Sequence, residues 1–201
     1  MIITAIEACE NKKYKIYLND EPAFELYKSE IKSCNLVKGM ELEEELHNRI
    51  LYEIVGKRAK KRAMHILEKR DKTEQQLRDK LIENRYPTEA VEDAIAYVKS
   101  YGYIDDVSYA RRYIEYRRKS KSRKQLKMEL YAKGISNEIL CQVLEEMEDG
   151  EGETIKALIL KKSKTPWLLE DTAKKKLQMS LMRKGFAYSE IDRAFSELEE
   201  R

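Results

Sequence analysis

The sequence predicts a mainly α-helical chain: three tandem three-helix repeats forming an elongated array, preceded by a small β-containing N-terminal extension. Three observations carry this reading. Six apolar positions recur in register three times, turn residues fall at the same point of each copy, and the first 28 residues alternate in hydropathy as strands do. The registered positions are Leu77, Leu81, Tyr86, Val91, Ile95 and Val98. They return 49 residues later as Leu126, Leu130, Ile135, Leu140, Leu144 and Met147. They return again, 100 residues after the first set, as Leu177, Leu181, Phe186, Ile191, Phe195 and Leu198. Each copy reads as a helix, a loop, a second helix, a tight turn and a third helix. Such units have narrow cores and gain stability by packing on neighbours.

The extension covers residues 1–56. Ile2, Thr4, Ile6 and Ala8 alternate with their neighbours, as do Tyr14, Ile16 and Leu18. Asn19-Asp20-Glu21-Pro22 is a turn signal, residues 23–26 suit a third short strand, and residues 29–33 a brief helical turn. From Met40 the period becomes helical, with Leu42, Leu46, Ile50 and Ile54 as an apolar stripe and Glu43, Glu44 and Glu45 near the positive end of the helix dipole. Gly56 marks a bend or a break before Ala59, Ala63, Ile66 and Leu67 open the first repeat.

The repeats then occupy 57–106, 107–153 and 154–201, with first helices over 59–70, 107–119 and 154–162. Thr73 and Gln76 form a capping box for the next helix. Lys133-Gly134 and Lys184-Gly185 end the second helices of copies two and three, where glycine suits a left-handed cap. Copy one has Asn84-Arg85 there, and asparagine is the next best residue for that conformation.

The net charge of +3 conceals segregation. Residues 1–56 carry seven bases and eleven acids, residues 57–85 eleven bases and five acids, and residues 138–153 seven acids and no base. From Ser108 to Gly134 ten Lys/Arg face two Glu, a net +8 that suggests an anionic partner. The three cysteines, Cys9, Cys34 and Cys141, are odd in number and far apart, which argues for free thiols in a reducing compartment. No stretch approaches ~20 apolar residues, so a cytoplasmic protein without a membrane span is expected.

No phosphate-cradling loop, nucleophile triad or metal-ligand spacing appears. His47 and His65 stand without ligand-spaced neighbours and read as packing or surface residues. Trp167, after Pro166, reads as a packing anchor. No catalytic residue, cofactor or metal is nominated, and a non-enzymatic protein is expected.

The densest chemistry lies in GYIDDVSYARRYIEYRRKSKSRK, residues 102–124. Gly102 ends one helix, and Asp105 or Asp106 can accept from the exposed N–H groups that open the next. Tyr109, Tyr113 and Tyr116 share a helix face that suits packing. Arg111, Arg112 and Arg118 must mostly face water, and the loop over 119–124 has no apolar residue to support a core.

This stretch, followed by QLKMELYAKGIS, resembles the central signature of the RecX family of recombinase regulators. There a Gly-aromatic-Leu/Ile-Asp/Asn-Asp pentad leads into an aromatic-Ala-Arg helix, and a Leu-x3-Leu-x3-Gly-Ile element follows. The matching residues are Gly102, Tyr103, Ile104, Asp105 and Asp106, then Tyr109, Ala110 and Arg111, then Leu126, Leu130, Gly134 and Ile135. Arg70, Thr73, Gln76, Leu77 and Leu81 resemble the family's first-repeat element, although Asn84-Arg85-Tyr86 replaces the usual Lys-Gly turn. The resemblance implies a monomeric, non-enzymatic regulator that binds RecA recombinase and its filament on DNA and suppresses ATPase and strand exchange. Arg111, Arg112, Arg118, Lys121, Arg123, Lys124 and Lys127 are the candidate contacts to an acidic surface of that filament, protein or phosphate.

The alternative is a helical-repeat protein acting directly on nucleic acid, with residues 88–100 or 137–147 as a recognition helix. Their acids count against it: Glu89, Glu92 and Asp93 in one, then Glu138, Glu145, Glu146 and the following Glu148 in the other. Weak direct DNA binding, if present, belongs to the basic stretch instead.

Overall fold

The computed structural model describes residues 1–147 and 150–200; Asp149, Arg201 and Glu148 of the acidic run lie outside the described residues. The chain divides into two compact units, Met1–Asp105 and Asp106–Arg201.

In the first unit, β1 (Ile3–Ala8), β2 (Lys13–Leu18) and β3 (Glu21–Tyr27) form an antiparallel sheet in that order. Ile16 and Leu18 face the core with Phe24 and Leu26, as the alternation predicts. β1 departs from the expected pattern, because Ile3 is buried while Ile2 is exposed. A bulge between Ile3 and Ala5 shifts the pairing, and a one-residue slip exchanges the two faces. The turn itself is Asn19-Asp20, both at positive φ (50° and 70°), the two-residue hairpin geometry. Pro22 lies inside β3, an edge strand, where a missing N–H is tolerated.

α1 (Lys28–Ser33) occupies the expected helical turn. The next helix starts later than Met40. Leu42 is buried in an extended segment: its N–H donates to Met1 O at 2.6 Å, and the terminal ammonium donates back to Leu42 O at 3.2 Å. α2 (Glu44–Asn48), a π-helical segment (Arg49–Gly56) and α3 (Lys57–Lys69) then run on without interruption, Gly56 included at φ −61° and ψ −44°. Gly56 is therefore neither bend nor break. It permits close packing, since a Cβ there would meet Asp93 Oδ2 at 3.1 Å and Leu51 O at 3.2 Å. The wider π turn also moves the stripe off Ile54. The buried residues become Ile50, Leu51, Val55, Ala59 and Ala63.

α4 (Glu74–Glu83) and α5 (Thr88–Ser100) complete the first repeat. Thr73 Oγ1 accepts from Gln76 N at 3.2 Å, the expected cap. After α4 the left-handed residue is Arg85 (φ 63°) and not Asn84, whose φ is −83°. Asn84 instead donates from Nδ2 to Lys80 O at 2.5 Å and accepts from Arg62 Nε at 3.1 Å. Arg85 reaches the sheet, 3.5 Å from Glu25 Oε1, a nearly buried carboxylate that Lys13 also pairs at 3.3 Å. Glycine cannot make that link, which gives a physical reason for the departure from a Lys-Gly turn.

The second unit holds α6 (Asp106–Arg117), α7 (Arg123–Tyr131) and α8 (Asn137–Glu145) as one repeat. The next comprises α9 (Glu151–Lys162), a 3-10 turn (Pro166–Leu168), α10 (Asp171–Met182) and α11 (Tyr188–Glu199). The registered positions build all three cores; Tyr86, Met147 and Leu177 pack on them partly buried and the rest are buried. Gly134 and Gly185 take φ of 84° and 89° at the helix ends. Trp167 is no anchor: it is half exposed, and Pro166 beside it is the buried residue of that turn.

Ser122 joins these two repeats. Its hydroxyl caps α7 by accepting from Gln125 N at 3.1 Å, and its own N–H donates to Lys184 O at 3.1 Å. A Cβ on Gly185 would collide with Ser122 Oγ and stand 2.9 Å from Gln125 Cβ. Gly185 is thus required twice, for its φ and for this approach. Among the described residues no helix is long and apolar enough to cross a membrane.

Candidate partner-binding face

Gly102 closes α5 at φ 70°, and Tyr103 N–H donates back to Val98 O at 3.0 Å. This is the left-handed helix end expected of the pentad. Ile104 is buried in the first unit, while Tyr103 is exposed and stacks on Tyr101 at 6.0 Å. Asp105 ends the first unit, and Asp106 is the first residue of α6.

α6 buries Ala110 and Ile114, with Tyr109 and Tyr113 packed partly buried beside them. Tyr116 does not join this face; it is 81% exposed. It lies about 140° round the helix from the line through Ala110 and Ile114, too far to reach the core. Arg117 instead covers both rings, 5.9 Å from Tyr113 and 5.4 Å from Tyr116.

A polar network ties α6 to α7. Tyr113 Oη donates to Glu129 Oε2 at 2.7 Å, Gln125 Nε2 donates to Oε1 at 3.0 Å, and Lys121 Nζ pairs with the same carboxylate. Burial works against the Glu129 charge, but these three donors outweigh it and hold the pKa at about 2. Burial and the bond to Glu129 push the Tyr113 phenol up to about 12. Lys121 is therefore part of the fold and not merely a charge in a loop.

The other candidate cations divide sharply. Arg111 makes a bidentate pair with Glu146, at 2.8 and 2.7 Å, which links α6 to the end of α8 and holds the Glu146 carboxyl below its usual range. Arg118 pairs with Glu115 within one turn, at 3.3 Å. Arg123 departs furthest from expectation. Its Nη2 donates to Leu144 O at 2.5 Å and Met147 O at 2.9 Å, and its N–H to Glu151. The guanidinium caps the C-terminal turn of α8, adding a donor to Leu144 O, which also accepts from Met147 N at 3.2 Å. Reversing its charge would damage the fold, contrary to the view that the loop has little core to support. Arg112 is exposed on α6.

Lys124 and Lys127 are exposed and have no acidic partner among the described residues. They line a shallow groove with Cys141, Leu144, Met147 and three carboxylates, Glu145, Glu151 and Glu190. Of the seven candidates, these two are the most available to an external anion. Sequence reasoning passed over Met128, Tyr131, Met179 and Met182, all exposed on the same second helices. The register that located the cores would also have located them.

The proposed recognition helices place their acids differently from a DNA reader. Glu92 binds Arg78 at 2.7 Å, Asp93 binds Lys60 at 2.9 Å and Glu146 binds Arg111, while Glu89, Glu138 and Glu145 stay exposed. The exposed carboxylates would repel phosphates.

Residues 59–97 match the first three-helix domain of RecX, and residues 105–144 match the second. Regulatory protein RecX of Caldanaerobacter subterraneus subsp. tengcongensis is 30% identical over 200 residues, covering 98% of this chain and 99% of that protein. Regulatory protein RecX of Clostridium tetani is 31% identical over 98% of this chain and 94% of its own length. A crystal structure of regulatory protein RecX aligns over 100% of this chain and 99% of its own, with a TM-score of 0.62 at 27% identity. With kinship along nearly its whole length and its three-helix repeats in register, the chain belongs to the RecX family of regulatory proteins.

Proposed function

We propose that this protein regulates a RecA recombinase without catalysing a reaction itself: it binds RecA and its filament on DNA and lowers ATPase and strand-exchange activity. Kinship with regulatory RecX proteins over nearly the full length is the observation that carries this reading. The exposed lysines of α7 agree with it, since an anionic filament surface would meet cations not already committed to the fold. Lys124 and Lys127 are the contacts we assign; Arg111, Lys121 and Arg123 hold the surrounding helices in place.

The test is the DNA-dependent ATPase of RecA, measured with filaments saturated by this protein. The protein alone should hydrolyse no ATP, and the filament rate should fall. An unchanged rate would count decisively against the proposal. Binding to bare single- and double-stranded DNA at two salt concentrations separates a filament regulator from a general DNA binder, which would bind both tightly and lose affinity steeply with salt.

A further inference from the structure

The second helices of the last two repeats share an outward pattern at three of four positions. On α7, Lys124, Lys127, Met128 and Tyr131 stand at i, i+3, i+4 and i+7, and so share one face. Met128 is 58% exposed and Tyr131 62%. At the equivalent positions α10 has Lys175, Met179 and Met182, while the counterpart of Lys127 is the buried Gln178; Lys176 and Arg183 flank them, and Met179 is 61% exposed and Met182 48%. The opposite faces bury Leu126, Leu130 and Leu181, so the cores account for none of the outward apolar residues. The helices also adjoin, because the turn ending α10 packs on the start of α7 through the Ser122–Lys184 bond and the approach of Gly185 to Gln125.

Single exposed apolar residues are ordinary, but a row repeated in register beside lysines is not. Methionine adapts its shape to a partner, and tyrosine is frequent among the anchors of protein interfaces. Three of the four apolar positions are methionine, which offers no ring for a base to stack on, so a protein fits the row better than a nucleic acid.

We propose that the outward faces of α7 and α10 form one docking strip for an acidic amphipathic segment of a protein partner. The segment's apolar residues pack on the Met/Tyr row, and its carboxylates meet the lysines. This rests on the regulatory role proposed above and commits its contact surface to protein.

The test titrates the full-length 15N-labelled chain with a synthetic amphipathic peptide of Glu and Leu at helical spacing. Parallel titrations use the same peptide with Leu replaced by Ser, a single-stranded oligonucleotide, and phosphatidylglycerol vesicles. Amides of α7 and α10 should shift with the amphipathic acidic peptide alone. The double substitutions Met128→Ser with Tyr131→Ser, and Met179→Ser with Met182→Ser, should each weaken binding at least tenfold while unfolding midpoints stay put. Shifts elsewhere, an equal response to oligonucleotide or vesicles, or wild-type affinity in both variants would overturn the strip. RecA-filament binding by the same proteins separates the two proposals. A wild type that binds the peptide and not the filament sinks the regulatory role and leaves the strip standing. Filament binding unchanged in both variants overturns the strip and leaves that role intact.

Discussion

α4 of the first repeat and α7 of the second occupy the same register yet use two of their polar positions in opposite ways. On α4, Arg78 is bound by Glu74 at 2.8 Å and Glu92 at 2.7 Å, Lys99 closes on Glu74 at 2.6 Å, and Gln75 donates to Asp79 at 2.8 Å. On α7 the equivalents of Gln75 and Arg78 are Lys124 and Lys127, exposed and without an acidic partner among the described residues. The turns differ in the same sense. Arg85 reaches Glu25 of the sheet, whereas Gly134 carries no side chain. One scaffold thus serves two ends: at these positions the first repeat ties its side chains to neighbouring acids, while the second, whose Arg111, Lys121 and Arg123 are bound internally, leaves Lys124 and Lys127 outward.

The largest effect should come from the shared feature, the registered core. Leu81→Ala, Leu130→Ala and Leu181→Ala each empty a buried site and should cost roughly 2–5 kcal/mol in urea unfolding. Near-neutral values would break the comparison at its base, since the register would then not define the cores.

Arg123→Glu is next. It removes the donor to Leu144 O and Met147 O and places a carboxylate near both, so a loss of about 1–3 kcal/mol is expected from the second unit. Lys124→Glu with Lys127→Glu should stay within about 0.5 kcal/mol per site. Equal destabilisation by the two variants would contradict the division between structural and outward cations.

The Glu129 network sharpens the contrast through pH. Its folded pKa is depressed from 4.5 to about 2, so its contribution is fully present above 4.5 and is lost as pH falls from there through 2. Glu129→Gln should be less stable than wild type at neutral pH and should lose less on acidification across that window. Parallel acid unfolding curves for the two proteins would show that the network contributes nothing. The smallest effect is expected of Arg85→Gly. Relief of the left-handed strain, about 1 kcal/mol, opposes loss of the link to Glu25, leaving little net change in thermal midpoint.

Much of this fold was legible in the sequence because its signals are local and repeated. Leucines at fixed offsets, the Thr73 cap and the glycines at 134 and 185 each express a short-range rule. The misses have different causes. The bulge in β1 and the π turn that ends at Gly56 each offset the pattern by a residue, which periodicity cannot register, whereas left-handed Arg85 stands at the register position of Gly134 and was missed because residue preference favoured its asparagine neighbour. The candidate face was legible as a charge cluster and no further. Whether an arginine lies against helix carbonyls, as Arg123 does, or in water, as Lys124 does, depends on the end of α8, more than 20 residues away.

Filament binding by the Lys124→Glu, Lys127→Glu protein tests most directly whether the second repeat faces outward to its partner. Measured against RecA–DNA filaments at low salt, the double variant should fold normally and bind at least tenfold more weakly, about 1.4 kcal/mol, with a shallower salt dependence. Lys80→Glu, on the exposed side of α4, should bind as wild type does. A double variant that folds normally and binds as tightly as wild type, or a Lys80 variant that weakens binding equally, would contradict the assignment.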